Sequence, residues 1–385
     1  MGFWLAGCLG DQPRMHSMGQ MSWQEGIKVL GQRLKEDLNE QYKMQLLVGR
    51  TGLVKAPKIV FDPFLYVEDG QQPVVNREIG RTLEGLLGPE FQLIPLNRRN
   101  LGEAELVLTG ILNLARGQGG SGANTYILEC VMINKVDGVV KARVRVGLAN
   151  LPLDTFALYK DSPIFLKGWH TRLALTVAQT PPNAKADPAY LEALPAKAAF
   201  QEGLELYQSK NYLDALNAFQ DSLRESKQPL MSALGGVFLC TRKLGQPKQA
   251  NAAFTQLLAK AIEYRRVIDF RLLFSVNSPY FIESQELVAQ YAWWLKELAL
   301  YAKDAGICLE IVGHSSRSGD SAYNDRLSEQ RAKVVQGIMA VTYPDIMKKS
   351  SVKGMGFRDN IVGTGADDAS DAIDRRVEFK IRECN

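Results

Sequence analysis

Apolar residues recur along this chain in two periods. Between Trp23 and about Tyr42, Ile27, Leu30, Leu34 and Leu38 fall at helical spacing with charges between them, which predicts an amphipathic helix. The run Lys58-Ile59-Val60-Phe61-Asp62 predicts a short buried strand. Residues Asn76 to Leu87, with Ile79, Leu83 and Leu86 on one face, predict a helix stopped by Gly88-Pro89. Phe91 to Ile94 and Glu105 to Gly110 read as further strands. Two alternating runs follow, Thr125 to Asn134 and Val139 to Val146, joined through Lys135-Val136-Asp137-Gly138, whose Asp-Gly is a hairpin signal. Residues 22–178 therefore read as an α/β domain.

The residues Ile59 to Pro63, Ala104 to Ile111 and Val136 to Val140 give this region an order that resembles the periplasmic fold of the CsgG, FlgO, TolB amino-terminal and LpoB families. Any small α/β sandwich accounts for the same pattern. Asp62 and Thr109, polar residues at strand ends, read as turn and cap residues.

Three prolines in Thr180 to Pro188 can continue neither strand nor helix, so residues 179–189 read as a linker at a domain boundary. Beyond it, Gly203, Ala215 and Phe219 stand at offsets 0, 12 and 16, preceded by Tyr212 and followed by Pro229; this resembles a tetratricopeptide helix pair. A second copy, Cys240, Gly245, Ala250 and Phe254, shifts the Ala/Phe pair by 35 residues, with Phe238 where the first copy has Gly203. Two repeats are close to the lower limit of stability, so this all-α segment, 190–264, is expected to lean on the domain beside it. It either binds a partner in its concave face or acts as a rigid spacer.

Residues 267–385 predict a strand over Ile268 to Val276 and a helix over Ser284 to Ala305 with Leu287, Tyr291, Leu295 and Leu298 on one face. A strand over Cys308 to Val312, a helix over Asn324 to Met339, and strands at Val352 to Met355 and Arg376 to Arg382 complete a βαβαββ order. Through this region run Gly313-His314-Ser315-Ser316-Arg317-Ser318-Gly319, Ala322-Tyr323-Asn324, Leu327-Ser328-Glu329-Gln330-Arg331-Ala332, Gly354-Met355-Gly356 and Asp374-Arg375-Arg376-Val377-Glu378. Together they resemble the OmpA-like, Pal-type peptidoglycan-binding domain.

That resemblance implies recognition of the diaminopimelate group of the peptidoglycan stem peptide. Arg331 stands at the family arginine, whose planar guanidinium forks two donors onto a carboxylate. The ammonium normally meets an aspartate in a Thr-Asp dipeptide, where this chain has Ser315-Ser316. Ser316 can accept a hydrogen bond but cannot neutralise an ammonium, which implies binding weaker by ~1–3 kcal/mol. Asp320, or the pair Asp367-Asp368, is a candidate substitute, and Arg317 beside Ser316 joins the same candidate set. Asn277 matches a family loop position or is simply a turn former. Tyr323 and Asn324 read as the start and cap of a helix. Arg375 and Arg376 either face the pocket or pair with Asp374 and Glu378. The family's sheet places the strands of Cys308 and Cys384 side by side, which implies a disulfide in an oxidising compartment.

Composition narrows the function classes. The chain has 385 residues, 46% hydrophobic and 23% charged, so it is a folded chain long enough for two or three domains. A formal charge of +4 leaves no nucleic-acid footprint. No stretch reaches the ~20 apolar residues of a membrane span. Five cysteines without a CxxC pair and three scattered histidines argue against a metal site. The glycine-rich tract Arg116 to Gly122 lacks a following Lys-Ser/Thr, and no nucleophile–base set stands out, so neither an enzyme nor a cofactor is expected. Leu5-Ala6-Gly7-Cys8 resembles a bacterial lipobox, although only seven residues, none positive, precede Cys8. The resemblance implies lipid attachment at Cys8 and the periplasmic face of the outer membrane, with residues 1–21 as leader and tether.

The expected whole is a non-enzymatic lipoprotein scaffold. It would link outer membrane to peptidoglycan and dock envelope proteins through its α/β domain and repeats, as in a secretion system or motor. The alternative is a lipoprotein that activates a peptidoglycan synthase.

Overall fold

The computed structural model describes residues 21–44, 47, 56–115, 125–275, 277–282, 284–360 and 374–384. Cys8, the tether up to residue 20, the glycine-rich tract 116–122 and Asp367-Asp368 lie outside the described residues. The chain is mixed α/β, with two sheets.

The first sheet is built from β1 (Lys58–Phe61), β2 (Leu65–Tyr66), β3 (Gln92–Pro95), β4 (Leu106–Leu114), β5 (Thr125–Asn134) and β6 (Val140–Ala149), in the order β3-β1-β4-β5-β6 with β2 beside β4. β1 runs parallel to both β3 and β4, and β4-β5-β6 is the antiparallel meander that the Asp-Gly turn predicted. Alternation along the strands gives the sheet two apolar faces. Leu106, Leu108 and Leu112 face α1 (Trp23–Gln41) and α2 (Asn76–Leu87). After two short helices, α3 (Arg98–Glu103) and α4 (Ala157–Asp161), come α5 (Trp169–Ala178) and α6 (Pro188–Gln208), which Val60, Val107 and Val131 face. Ser22 caps α1 through a capping box with Glu25. The edge strand β3 is blunted, because Pro95 has no N–H and its carbonyl accepts a bond from Asn100 Nδ2 (2.9 Å).

The segment expected to be a linker is tied down instead. The Asn183 N–H donates to the Val140 carbonyl (2.8 Å), Val140 N–H to Ala184 (2.9 Å) and Ala186 N–H to Gly138 (2.9 Å). Prolines forbid a regular strand but leave these backbone groups free to bond to the start of β6. Helix α6 then begins at Pro188 and covers the sheet, so the first helix of the repeat region is also a layer of the first α/β unit.

Antiparallel neighbours α6, α7 (Tyr212–Arg224), α8 (Met231–Lys243) and α9 (Pro247–Arg265) form the helical segment. Phe219 is its wedge: a Cβ placed on Gly203 would lie 2.7 Å from the Phe219 ring, and one on Gly236 would lie 2.4 Å from it. Gly236, not Phe238, is thus the small residue of the second pair that admits an aromatic plug. Phe238 instead stacks on Trp293 (5.9 Å, 6° between planes) and Phe254 lies 5.3 Å from the same indole. One continuous apolar core joins these helices to the second sheet.

The second sheet has the order β7-β10-β8-β9, from β7 (Val267–Phe270), β8 (Cys308–Gly313), β9 (Ser350–Gly354) and β10 (Val377–Arg382). Helices α10 (Gln285–Asp304) and α11 (Ser321–Thr342) provide the crossovers, and a short helix, α12 (Ile346–Lys349), precedes β9. The first strand ends at Phe270, short of the run read from sequence, whose last residue, Val276, lies outside the described residues; farther on, Ser275 N–H donates to the Tyr280 carbonyl (2.9 Å). β10 is antiparallel to β8 with Arg382 opposite Cys308, and a disulfide joins Cys308 to Cys384 with Cα atoms 5.2 Å apart. The bridge closes a loop 76 residues apart in sequence. Reducing it is expected to lower unfolding free energy by about 2–4 kcal/mol, read as a shift of the urea midpoint with and without reductant.

Candidate ligand-binding site

The site predicted from sequence is organised by one face of α11. Asn324, Ser328 and Arg331, at offsets of four and seven residues, point the same way and are buried. Asp320 is the N-cap, exposed, with one carboxylate oxygen accepting from Tyr323 N–H (2.8 Å). Asn324 lies inside the helix, not at its cap, and its Nδ2 donates to the carbonyls of Ser318 (2.7 Å) and Asp320 (3.0 Å). The glycines allow close approach: a Cβ on Gly313 would lie 2.0 Å from the Ser328 carbonyl oxygen, and one on Gly354 2.2 Å from that of Asp325. The ends of β8 and β9 therefore lie directly against the helix backbone.

Arg331 is 2% exposed. Its Nε donates to the Ser278 carbonyl (3.1 Å) and Nη2 to that of Ser275 (3.3 Å), while the guanidinium lies 4.8 Å over the Phe274 ring. Asn277 sits in the loop that covers it, in the left-handed region (φ 52°), and its carbonyl accepts from Tyr323 Oη (3.4 Å). Asn277 is thus a turn former whose backbone, not its side chain, meets α11. Ser316 is buried and Arg317 exposed. The structure brings Asn277 to Arg331's loop and Asp320 to the helix start. Arg331 itself is covered by its own chain.

Behind this face, Arg376 resolves one alternative left open by the sequence. Its Nη2 donates to Glu378 (2.7 Å) and to the Asp359 carbonyl (3.0 Å), so it pairs with Glu378. His314 Nε2 is 3.2 Å from the same carboxylate. Burial works to raise the Glu378 pKa, but His314 and Arg376 together hold it well below the usual carboxylate range.

No protein-family model matches the chain, and no curated protein matches it. Solved structures do. The OmpA-like domain of FopA1 from Francisella tularensis subsp. tularensis SCHU S4 is 23% identical, covering 31% of this chain and 75% of that one, with a TM-score of 0.24. The cell wall anchor of the T6SS from Pseudomonas aeruginosa is 22% identical over 30% of this chain and 81% of that one (TM-score 0.25). The peptidoglycan-associated lipoprotein from Burkholderia pseudomallei is 24% identical over 29% and 88% (TM-score 0.25). Each of these matches covers about 30% of this chain.

A second polar cluster escaped the sequence reading. Asp62 is fully buried, and its Oδ2 accepts from Tyr190 Oη (2.8 Å), Thr109 Oγ1 (3.0 Å) and Lys197 Nζ. Asp62 and Thr109 are therefore not turn and cap residues but the sheet's half of an ion-pair network, because β-strand alternation turns both toward α6. His170 is buried nearby, and desolvation, aided by Lys197, brings its pKa down to about 3. The imidazole is neutral there. The sequence signal was the single lysine, Lys197, in the apolar run Ala193 to Phe200.

Proposed function

We propose that this chain is a non-enzymatic protein of the bacterial envelope whose carboxy-terminal module, 267–385, engages peptidoglycan. The observation that carries this reading is the convergence of the sequence motifs on one guanidinium. Segments far apart in the chain, 274–278, 313–320 and 354–356, meet α11 on the face that presents Arg331. The disulfide fits an oxidising compartment such as the periplasm. Attachment to the outer membrane would come from a lipid at Cys8, at the lipobox-like Leu5-Ala6-Gly7-Cys8. The first α/β unit and the tetratricopeptide-like helices would then dock envelope partners, within a secretion system, a motor, or as activator of a peptidoglycan synthase.

Ligand access requires a change at the 275–280 loop, since the donors of Arg331 already serve the Ser275 and Ser278 carbonyls. A carboxylate is a stronger acceptor for a guanidinium than a peptide carbonyl, so a stem peptide would compete for these donors. A second reading follows from the 2% exposure of Arg331: the module is a packing block and no wall anchor.

Co-sedimentation with purified sacculi decides between them. The wild type is expected to pellet, and Arg331→Ala to bind more weakly by about one to two decades. Arg331→Ala is used at a temperature where its circular dichroism matches the wild type, with Arg317→Ala, exposed and outside the fold's core, as a second variant. A wild type that stays in the supernatant discards wall binding and leaves the packing block.

A further inference from the structure

The sheet places a cleft where neither motif nor neighbour pointed. In open α/β sheets, ligands commonly lodge outside the carboxyl ends of parallel strands, and a cleft of about 630 Å³, within the usual range for small-molecule sites, lies at those ends of the parallel pair β1 and β3. Its walls come from the ends of β1 and β3, helix α2, and helix α6.

The floor is apolar, formed by Phe61, Leu93, Leu96 and Phe156, all buried. The rim is charged, and most of its charges are already matched. Glu205 pairs with Arg77, whose guanidinium lies 4.8 Å over the Phe156 ring, and Glu202 accepts from Arg98 Nε (2.8 Å). Arg81 and Glu84, one turn apart on α2, line the same cleft and have no ion-pair partner within 4 Å among the described residues. Arg81 Nε donates to the Arg77 carbonyl (3.3 Å), so the site offers one cation and one anion without an ion-pair partner among the described residues, on side chains whose Cβ atoms are about 5–6 Å apart as helix neighbours, over an apolar pocket. A phosphate or other multiply charged anion would meet Glu84, Glu202 and Glu205 as well as the arginines, which selects against nucleotides. A molecule with a carboxylate, an ammonium and an apolar body matches both the open charges and the floor.

We propose that the cleft at the carboxyl ends of β1 and β3 binds a small zwitterion with an apolar body, of the class of an apolar amino acid. Its carboxylate pairs with Arg81, its ammonium with Glu84, and its side chain fills the space over Phe61 and Leu96.

Isothermal titration of the full chain with L-phenylalanine and L-leucine tests this. Binding of at least one is expected, with 3-phenylpropionate and 2-phenylethylamine, each lacking one charged group, weaker by about tenfold or more. Arg81→Gln and Glu84→Gln, both at exposed positions, should each weaken the amino acid by a similar factor. Arg81→Gln should leave the amine's affinity unchanged, and Glu84→Gln that of the acid. No heat from either amino acid at about millimolar concentration, or affinities that neither substitution moves, overturns the assignment. Neither outcome bears on sacculus binding, which depends on a different face of the molecule.

Discussion

Lys197→Met is expected to lower the unfolding free energy by about 3–5 kcal/mol, because it leaves the Asp62 carboxylate buried without its cation. All three bonds to that carboxylate fall on Oδ2, Oδ1 is already buried without a hydrogen-bond partner in the protein, and Lys197 is its only cation within 4 Å among the described residues. Asp62→Asn in the same background removes the stranded charge. The double variant should therefore recover most of the stability, since exchanging both members of a buried pair is far milder than removing one. Urea unfolding of the two singles and the double gives the coupling. Additive losses would mean that the pair does not hold α6 to the sheet.

Phe219→Ala should cost about 3–5 kcal/mol, the range for deleting a buried aromatic side chain. The ring is fully buried and fills the space left by two glycines on different helices, Gly203 of α6 and Gly236 of α8. Neither glycine has a side chain to collapse into the cavity, so relaxation is limited. Leu213→Ala, on the same helix but 58% exposed, serves as control and should change stability by less than about 0.5 kcal/mol. Equal thermal midpoints for the two variants would show that Phe219 is not the wedge between these helices.

Periodic stretches were the most legible part of the chain. The helix at 76–87 and the strand at 125–134 occupy the residues that their patterns predicted, because each has a regular apolar face bounded by strong stop signals. Short elements were not legible: β2 at Leu65–Tyr66 is too brief to show a period, and α5 at Trp169–Ala178 lies in a run with no capping signal. The segment 179–189 was misread for a different reason. Proline content reports what a backbone cannot form internally and says nothing of bonds to a strand more than 40 residues earlier in sequence.

The candidate site shows the same division. The motif spacing puts Asn324, Ser328 and Arg331 on one helix face, but the enclosure of Arg331 leaves no mark in the sequence, because its acceptors include the backbone carbonyls of Ser275 and Ser278, which every residue carries. Asp62 was misjudged because its partner lies 135 residues away. A carboxylate at a strand end has the same local pattern whether it closes a turn or meets a lysine from a distant helix.

The packing of Trp293 against Phe238, stacked, and Phe254, tilted, has a mechanical corollary. Pulling on the last strands loads the helices directly, because the indole that anchors α10 is clamped by α8 and α9 and leaves no hinge to absorb the strain. Cutting the polypeptide before β7 would strip that clamp and bare an aromatic surface, so the terminal portion expressed by itself should self-associate where the intact chain does not.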